Sequence, residues 1–84
     1  MKPKGFFNLI TMKKHNGYRS WNEWNVSLWI NNDEALYRHA LDLVENFTLS
    51  QATKIFMHHY WITPDGADYN RICVYNTLKE LKNG

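Results

Sequence analysis

One cysteine, Cys73, stands in 84 residues, so no internal disulfide can form and a reducing, cytosolic setting is the expectation. No apolar run approaches the roughly 18 residues a membrane-spanning helix needs. Residues 1–11 hold only brief apolar pieces and lack a small-residue cleavage site, which excludes the secretory pattern. Charged residues make up 21% and apolar residues 44%, too apolar a balance for a disordered chain. The length allows one hydrophobic core, and a shielded catalytic pocket beside it is hard to fit.

The usual catalytic equipment is also missing. There is no glycine-rich phosphate loop, no Walker pattern and no nucleophile elbow. The soft or borderline ligands, His15, His39, His58, His59 and Cys73, form neither a His-x-x-x-His nor a Cys-x-x-Cys pair. Adjacent His58 and His59 diverge by about 100° on a helix. Cys73, flanked by Ile72 and Val74, reads as a packed thiol, and Asp33-Glu34 as residues that open a helix. The expectation is therefore no catalysis, no metal and no cofactor.

What the chain has in excess is aromatic side chains, 15% of residues with four Trp, and a one-sided distribution of charge. Residues 1–19 carry Lys2, Lys4, Lys13, Lys14 and Arg19 and no carboxylate. Such a stretch reads as a basic arm suited to phosphates or an acidic protein surface, or as a solubilising tail. Met12 stands just before Lys13-Lys14, so the first eleven residues need not belong to the folded unit. Residues 20–84 form the single helical domain, and an extended piece at Phe6–Met12 is the one strand-like stretch.

Four helices follow from local chemistry. Ser20-Trp21-Asn22-Glu23 fits a capping box, opening a helix over about 20–31 with Trp21, Trp24, Leu28 and Trp29 at helical spacing. Asn32-Asp33-Glu34 restarts a second, whose inward stripe is Leu36, Ala40, Leu43 and Phe47, with Tyr37, Leu41 and Val44 beside it. Thr48 to Gln51 forms another box, starting a third helix through about Tyr60 with Ala52, Ile55, Phe56 and Tyr60 inward. Thr63-Pro64-Asp65-Gly66 predicts a type I turn. Asp68 or Asn70 caps a last helix running to about Lys82, with Ile72, Tyr75, Leu78, Val74 and Leu81 inward. The fold class is all-α, a small bundle of about four helices with the last two in a helix-turn-helix-like arrangement.

Two surfaces suggest function. Tyr18, Trp21, Trp24 and Trp29 crowd one short helix and its entry. Either the large rings fill a small core, or some remain outside as anchors for a protein partner. On the second account Tyr18, Trp21 and Trp29, with Lys13, Lys14 and Arg19 from the arm, make the contacts. The stretch from Leu49 to Leu81 resembles helix-turn-helix units, recombinase-type ones among them, in which a T-P-x-G loop leads into a helix that enters the major groove. DNA would then meet Asn70, Arg71, Asn76, Thr77 and Lys79. A homodimer seam is a third use for spare rings.

His15-Asn16-Gly17-Tyr18, then Asn22 to Ile30 (Asn-Glu-Trp-Asn-Val-Ser-Leu-Trp-Ile), Asn32-Asp33-Glu34 and Leu36-Tyr37 resemble a family of small proteins encoded by bacteriophages, prophages and plasmids. Its members share the signature N-G-[YW]-x-x-[WY]-x-x-W-N-V-x-L-W-I-x-N-D-E-x-L-Y and are mostly of unknown function. Thr63 to Gly66 and Tyr69 extend the match to about residues 13–82. The resemblance implies a non-enzymatic phage or mobile-element protein in the bacterial cytoplasm that binds a host macromolecular complex, including as an anti-CRISPR-like inhibitor of defence. A small DNA-binding regulator is the alternative.

Overall fold

A computed structural model describes residues 17–84. Lys13, Lys14, His15 and the expected extended piece at Phe6–Met12 lie outside the described residues. Helix α1 is Trp21–Asn32, α2 Glu34–Asn46, α3 Leu49–His59 and α4 Arg71–Asn83. Each helix start is set by a side chain that replaces a missing helical hydrogen bond. Ser20 Oγ accepts from the Glu23 amide at 3.1 Å. The reciprocal half of that expected box does not form, because the Glu23 carboxylate turns to the Arg19 amide and guanidinium. Asp33 closes one helix and opens the next: its N–H donates to the Trp29 carbonyl, and its Oδ1 accepts from the amides of Ala35 and Leu36. Thr48 and Gln51 complete a full capping box, both bonds 3.1 Å. Asn70 Oδ1 takes the Cys73 amide at 2.9 Å, which settles the choice between Asp68 and Asn70.

α4 packs against all three other helices, and α2 joins it at the centre; α1 and α3 flank this pair without touching each other. The largest fully buried side chains are Phe56, Ile30, Leu78, Val26, Val74 and Asn25. His39, Phe56, Tyr60 and Tyr69 fill the space between α2, α3 and the segment after it. The Phe56 and Tyr69 rings meet nearly perpendicular at 5.3 Å, and His39 Nδ1 lies 2.7 Å from the Tyr60 hydroxyl.

The inward faces of α2 and α3 fall close to expectation, with exceptions at the ends. Leu36, Ala40, Leu43 and Val44 are buried, but Phe47 caps the helix and lies exposed. On α3, Ala52 and Phe56 are buried while Ile55 and Tyr60 are only half-buried. Thr53 joins them inward, its hydroxyl donating to the Leu49 carbonyl at 2.8 Å. The phases of α1 and α4 differ from the expected ones. The core side of α1 is Val26 and Ile30, with Glu23, Asn25 and Ser27 also buried; Trp21 is exposed and Trp24 and Leu28 are half-buried. On α4 the buried residues are Cys73, Val74, Thr77 and Leu78, whereas Ile72 faces out and Tyr75 and Leu81 are half-buried. Thr77, expected on the DNA-facing side, is inside, because its hydroxyl donates back to the Cys73 carbonyl at 2.9 Å and is thereby satisfied without water.

The α3–α4 connection spans 60–70, far longer than the three or four residues of a helix-turn-helix turn. It folds back on itself. Ile62 and Asp68 pair as an isolated antiparallel bridge, the Gly66 amide donates to Thr63 O at 2.9 Å, and the Tyr69 amide donates to Trp61 O at 2.9 Å. Gly66 has φ +99°, which a side chain there would strain.

Candidate functional site

The connection is held against α1 by a chain of polar contacts. The Ala67 amide donates to Thr63 Oγ1 at 2.9 Å, and the Thr63 hydroxyl donates to Asn25 Oδ1 at 2.6 Å. Asn25 Nδ2 donates to Asp65 Oδ2 at 2.8 Å, and the Trp29 indole N–H reaches the same oxygen at 2.9 Å. Asn22 clasps Asp68 with both ends of its amide: Nδ2 donates to the carbonyl and Oδ1 accepts from the N–H. The residues of the Asn-Glu-Trp-Asn-Val-Ser-Leu-Trp and Thr-Pro-Asp-Gly stretches thus form one latch between segments about forty positions apart. The hydrogen bonds from Asn25 and Trp29 hold the Asp65 carboxyl below the usual carboxylate range.

A second polar set joins α1 to α4. Burial pushes the Glu23 carboxyl up, but hydrogen bonds from the Arg19 side chain, Asn76 and the Arg19 amide, with the Arg19 charge, outweigh it and leave the group below its ordinary value. Asn76 Nδ2 stands 3.2 Å and Arg19 Nε 3.1 Å from the two oxygens of that carboxylate. Cys73 is buried, its sulfur 3.4 Å from Asn22 Nδ2. Among the described residues no buried side-chain polar atom lacks a partner, and no three His, Cys, Asp or Glu converge on a metal-sized space. The polar groups near these helix ends are spent on holding the fold.

The expected site residues therefore divide by what they touch. Tyr18 is half-buried, its hydroxyl 3.1 Å from Ser27 Oγ, and Arg19 is paired with Glu23. Trp29 is packed against the core with its indole N–H engaged by Asp65. Trp21 is 40% exposed. It stands eight residues from Trp29, about 12 Å along the helix axis at 1.5 Å per residue, so the two rings do not form one patch. On the α4 side Asn70 is a cap and Asn76 is bound to Glu23, while Arg71 and Lys79 remain exposed without an ion pair among the described residues.

The most exposed apolar side chains are ones the sequence reading did not single out: Trp61 at 77% and Ile62 at 59%, joined by Ile72 at 56%. Asn22 ties the first turn of α1 to Asp68, Asp68 pairs with Ile62, and α4 begins three residues later. Trp21, Trp61, Ile62 and Ile72 consequently share the end of the bundle where α1 and α4 start and α3 stops. An apolar pair placed directly between a helix end and a Thr-Pro-Asp-Gly turn was the available signal. Turn segments are solvent-facing, so large apolar residues there have little to bury against.

No curated protein and no solved structure matches this chain. A family of unknown function, DUF7249, matches residues 11–84, and the chain belongs to that family.

Proposed function

We propose that this protein is a non-enzymatic binding module of a phage or other mobile element. In this reading it acts in the bacterial cytoplasm and engages a host complex through the apolar end of its bundle, as an anti-CRISPR-like inhibitor of defence. The carrying observation is the inversion of burial: Trp61 stands 77% exposed beside Ile62, while polar Asn25 is sealed at 1% exposure. Exposed aromatic anchors beside apolar neighbours are what protein interfaces use, and no fold requirement described above keeps the Trp61 ring outside. Trp21 and Ile72 extend the surface, and Arg19, which lines a shallow hollow with Ile72, adds positive charge at its edge. Tyr18 and Trp29 support it by fixing α1.

The test is affinity capture from bacterial lysate with the wild type and Trp61→Ala side by side, followed by rebinding of the purified candidate. A host component should be retained by the wild type, lost with Trp61→Ala and recovered in the purified pair; equal recovery on both baits would refute the reading. Interference against an incoming plasmid, in a host with an active CRISPR system, tests the inhibitory role separately. Wild type should raise transformation, and Trp61→Ala should not.

The alternative is a DNA-binding regulator acting through α4, which the exposed Arg71 and Lys79 favour. Asn70 and Asn76 would have to abandon their cap and their Glu23 contact to read bases. Anisotropy on mixed duplexes at low salt, where counterion release favours binding most, decides it: no binding there removes DNA.

A further inference from the structure

Apart from the latch, a groove of about 530 Å³ runs between α3 and α4. Met57 from α3 and Ile72 and Tyr75 from α4 give it an apolar lining over the buried Thr53. Lys54 on α3 and Arg71 on α4 line it as well, one from each side; both are exposed, and neither has an ion-pair partner among the described residues. No carboxylate lines the groove. We propose that this groove receives an acidic amphipathic helix of a partner protein. The partner's apolar stripe would lie on Met57, Ile72 and Tyr75, and its carboxylates would face Lys54 and Arg71.

Two features choose this occupant. An amphipathic helix docks by laying an apolar stripe, its anchors three and four apart, into an apolar groove between elements, and Met57, Ile72 and Tyr75 supply such a floor between α3 and α4. The unneutralised cations then select the sign of the flanking charge. Residues 1–16 carry four lysines and no carboxylate, the wrong sign for this wall. A DNA phosphate would satisfy Lys54 and Arg71 but would leave the Met57, Ile72 and Tyr75 surface without an apolar counterpart. The inference rests on the protein-binding reading above and specifies the chemistry of the partner.

The experiment uses the full chain and a fluorescein-labelled helical peptide of about four turns, with Leu at three- and four-residue spacing and Glu elsewhere. Controls are the same peptide with Lys for Glu, a version with its Leu positions scrambled, and a mixed DNA duplex. The acidic amphipathic peptide should bind at least about tenfold tighter than the lysine and scrambled versions, and more weakly as salt rises. Ile72→Ser should weaken it about tenfold. Lys54→Glu with Arg71→Glu should transfer the preference to the lysine peptide, a gain that misfolding cannot produce.

Equal binding of both charge types, no binding of any peptide, no effect of Ile72→Ser, or tighter binding of DNA would each overturn the proposal. So would a dimer in light scattering that Ile72→Ser abolishes, which assigns the groove to a second copy. Trp61→Ala separates the two readings. Host capture that depends on Trp61, with a probe that ignores the groove, defeats this inference alone. A probe that obeys the groove, with capture indifferent to Trp61, defeats the proposal for the bundle end.

Discussion

Asn25 is the side chain on which the connection depends, since it receives the Thr63 hydroxyl and donates to Asp65 from an almost fully buried position. Replacing it by Leu strands the buried Thr63 hydroxyl, whereas the exposed Asp65 keeps the Trp29 indole, so the loss should be about 1–3 kcal/mol. In thermal denaturation that is a drop on the order of 5–20 °C. Thr63→Val alone frees the Ala67 amide as well as Asn25 Oδ1, and combined with Asn25→Leu its loss should fall short of the sum of the two single losses, because their shared bond is counted once; strictly additive losses would refute the coupling. Acid should work on the same region. Glu23 and Asp65 both titrate lower folded than unfolded. Their contribution is therefore present above the ordinary carboxylate range and disappears as pH falls through their depressed folded values. Denaturation midpoints measured from neutral pH down past 4 should decline, and Glu23→Gln should flatten the decline.

At the scale of elements, Asp33 is the economical joint of the fold, serving α1 and α2 at once. Asp33→Ala should cost about 1–2 kcal/mol in urea denaturation, and Asp33→Asn, which still accepts from the Ala35 and Leu36 amides, much less. Equal losses would mean that charge, and not the cap, matters there. Such caps were legible in the sequence because both partners lie within four residues. The phase of α1 was not. Val26 and Ile30 face the core, yet polar Glu23, Asn25 and Ser27 are buried on the same helix. What makes that tolerable is supplied by Thr63 and Asp65, 38 and 40 residues away, and by Asn76. A pattern of apolar spacing does not register such partners, so Trp21, Trp24, Leu28 and Trp29 mark a helix without showing that Val26 and Ile30 are its core side. Ile72 was misplaced for a related reason: Thr77 is polar enough to look external but small enough to let α4 lie close to its neighbours. The surface now proposed for binding, Trp61 and Ile62, was passed over because attention to periodic stripes skips the segments between helices.

For the molecule as a whole, the cluster of His39, Phe56, Tyr60 and Tyr69 links α2, α3 and the connection. Burial, with the nearby Asp33 charge and Tyr60, pushes the Tyr69 hydroxyl up to about 12. A phenol raised in this way favours the folded state fully below the unfolded value of about 10, and the benefit fades as pH climbs toward the folded value. Absorbance at alkaline pH should show a late tyrosine phase that coincides with loss of helical signal, and Tyr69→Phe should remove that phase. A late phase that persists in Tyr69→Phe would place it on another ring.

Of the two helices that meet every other one, α4 is the later in the chain. During synthesis the earlier three emerge with their inner surfaces uncovered, and Val26, Ile30 and Phe56 must wait for Val74 and Leu78 before water is shut out. The core can therefore close only once α4 has cleared the ribosomal exit tunnel, and a ribosome stalled within α4 would leave the emerged helices without the Val74 and Leu78 that cover them.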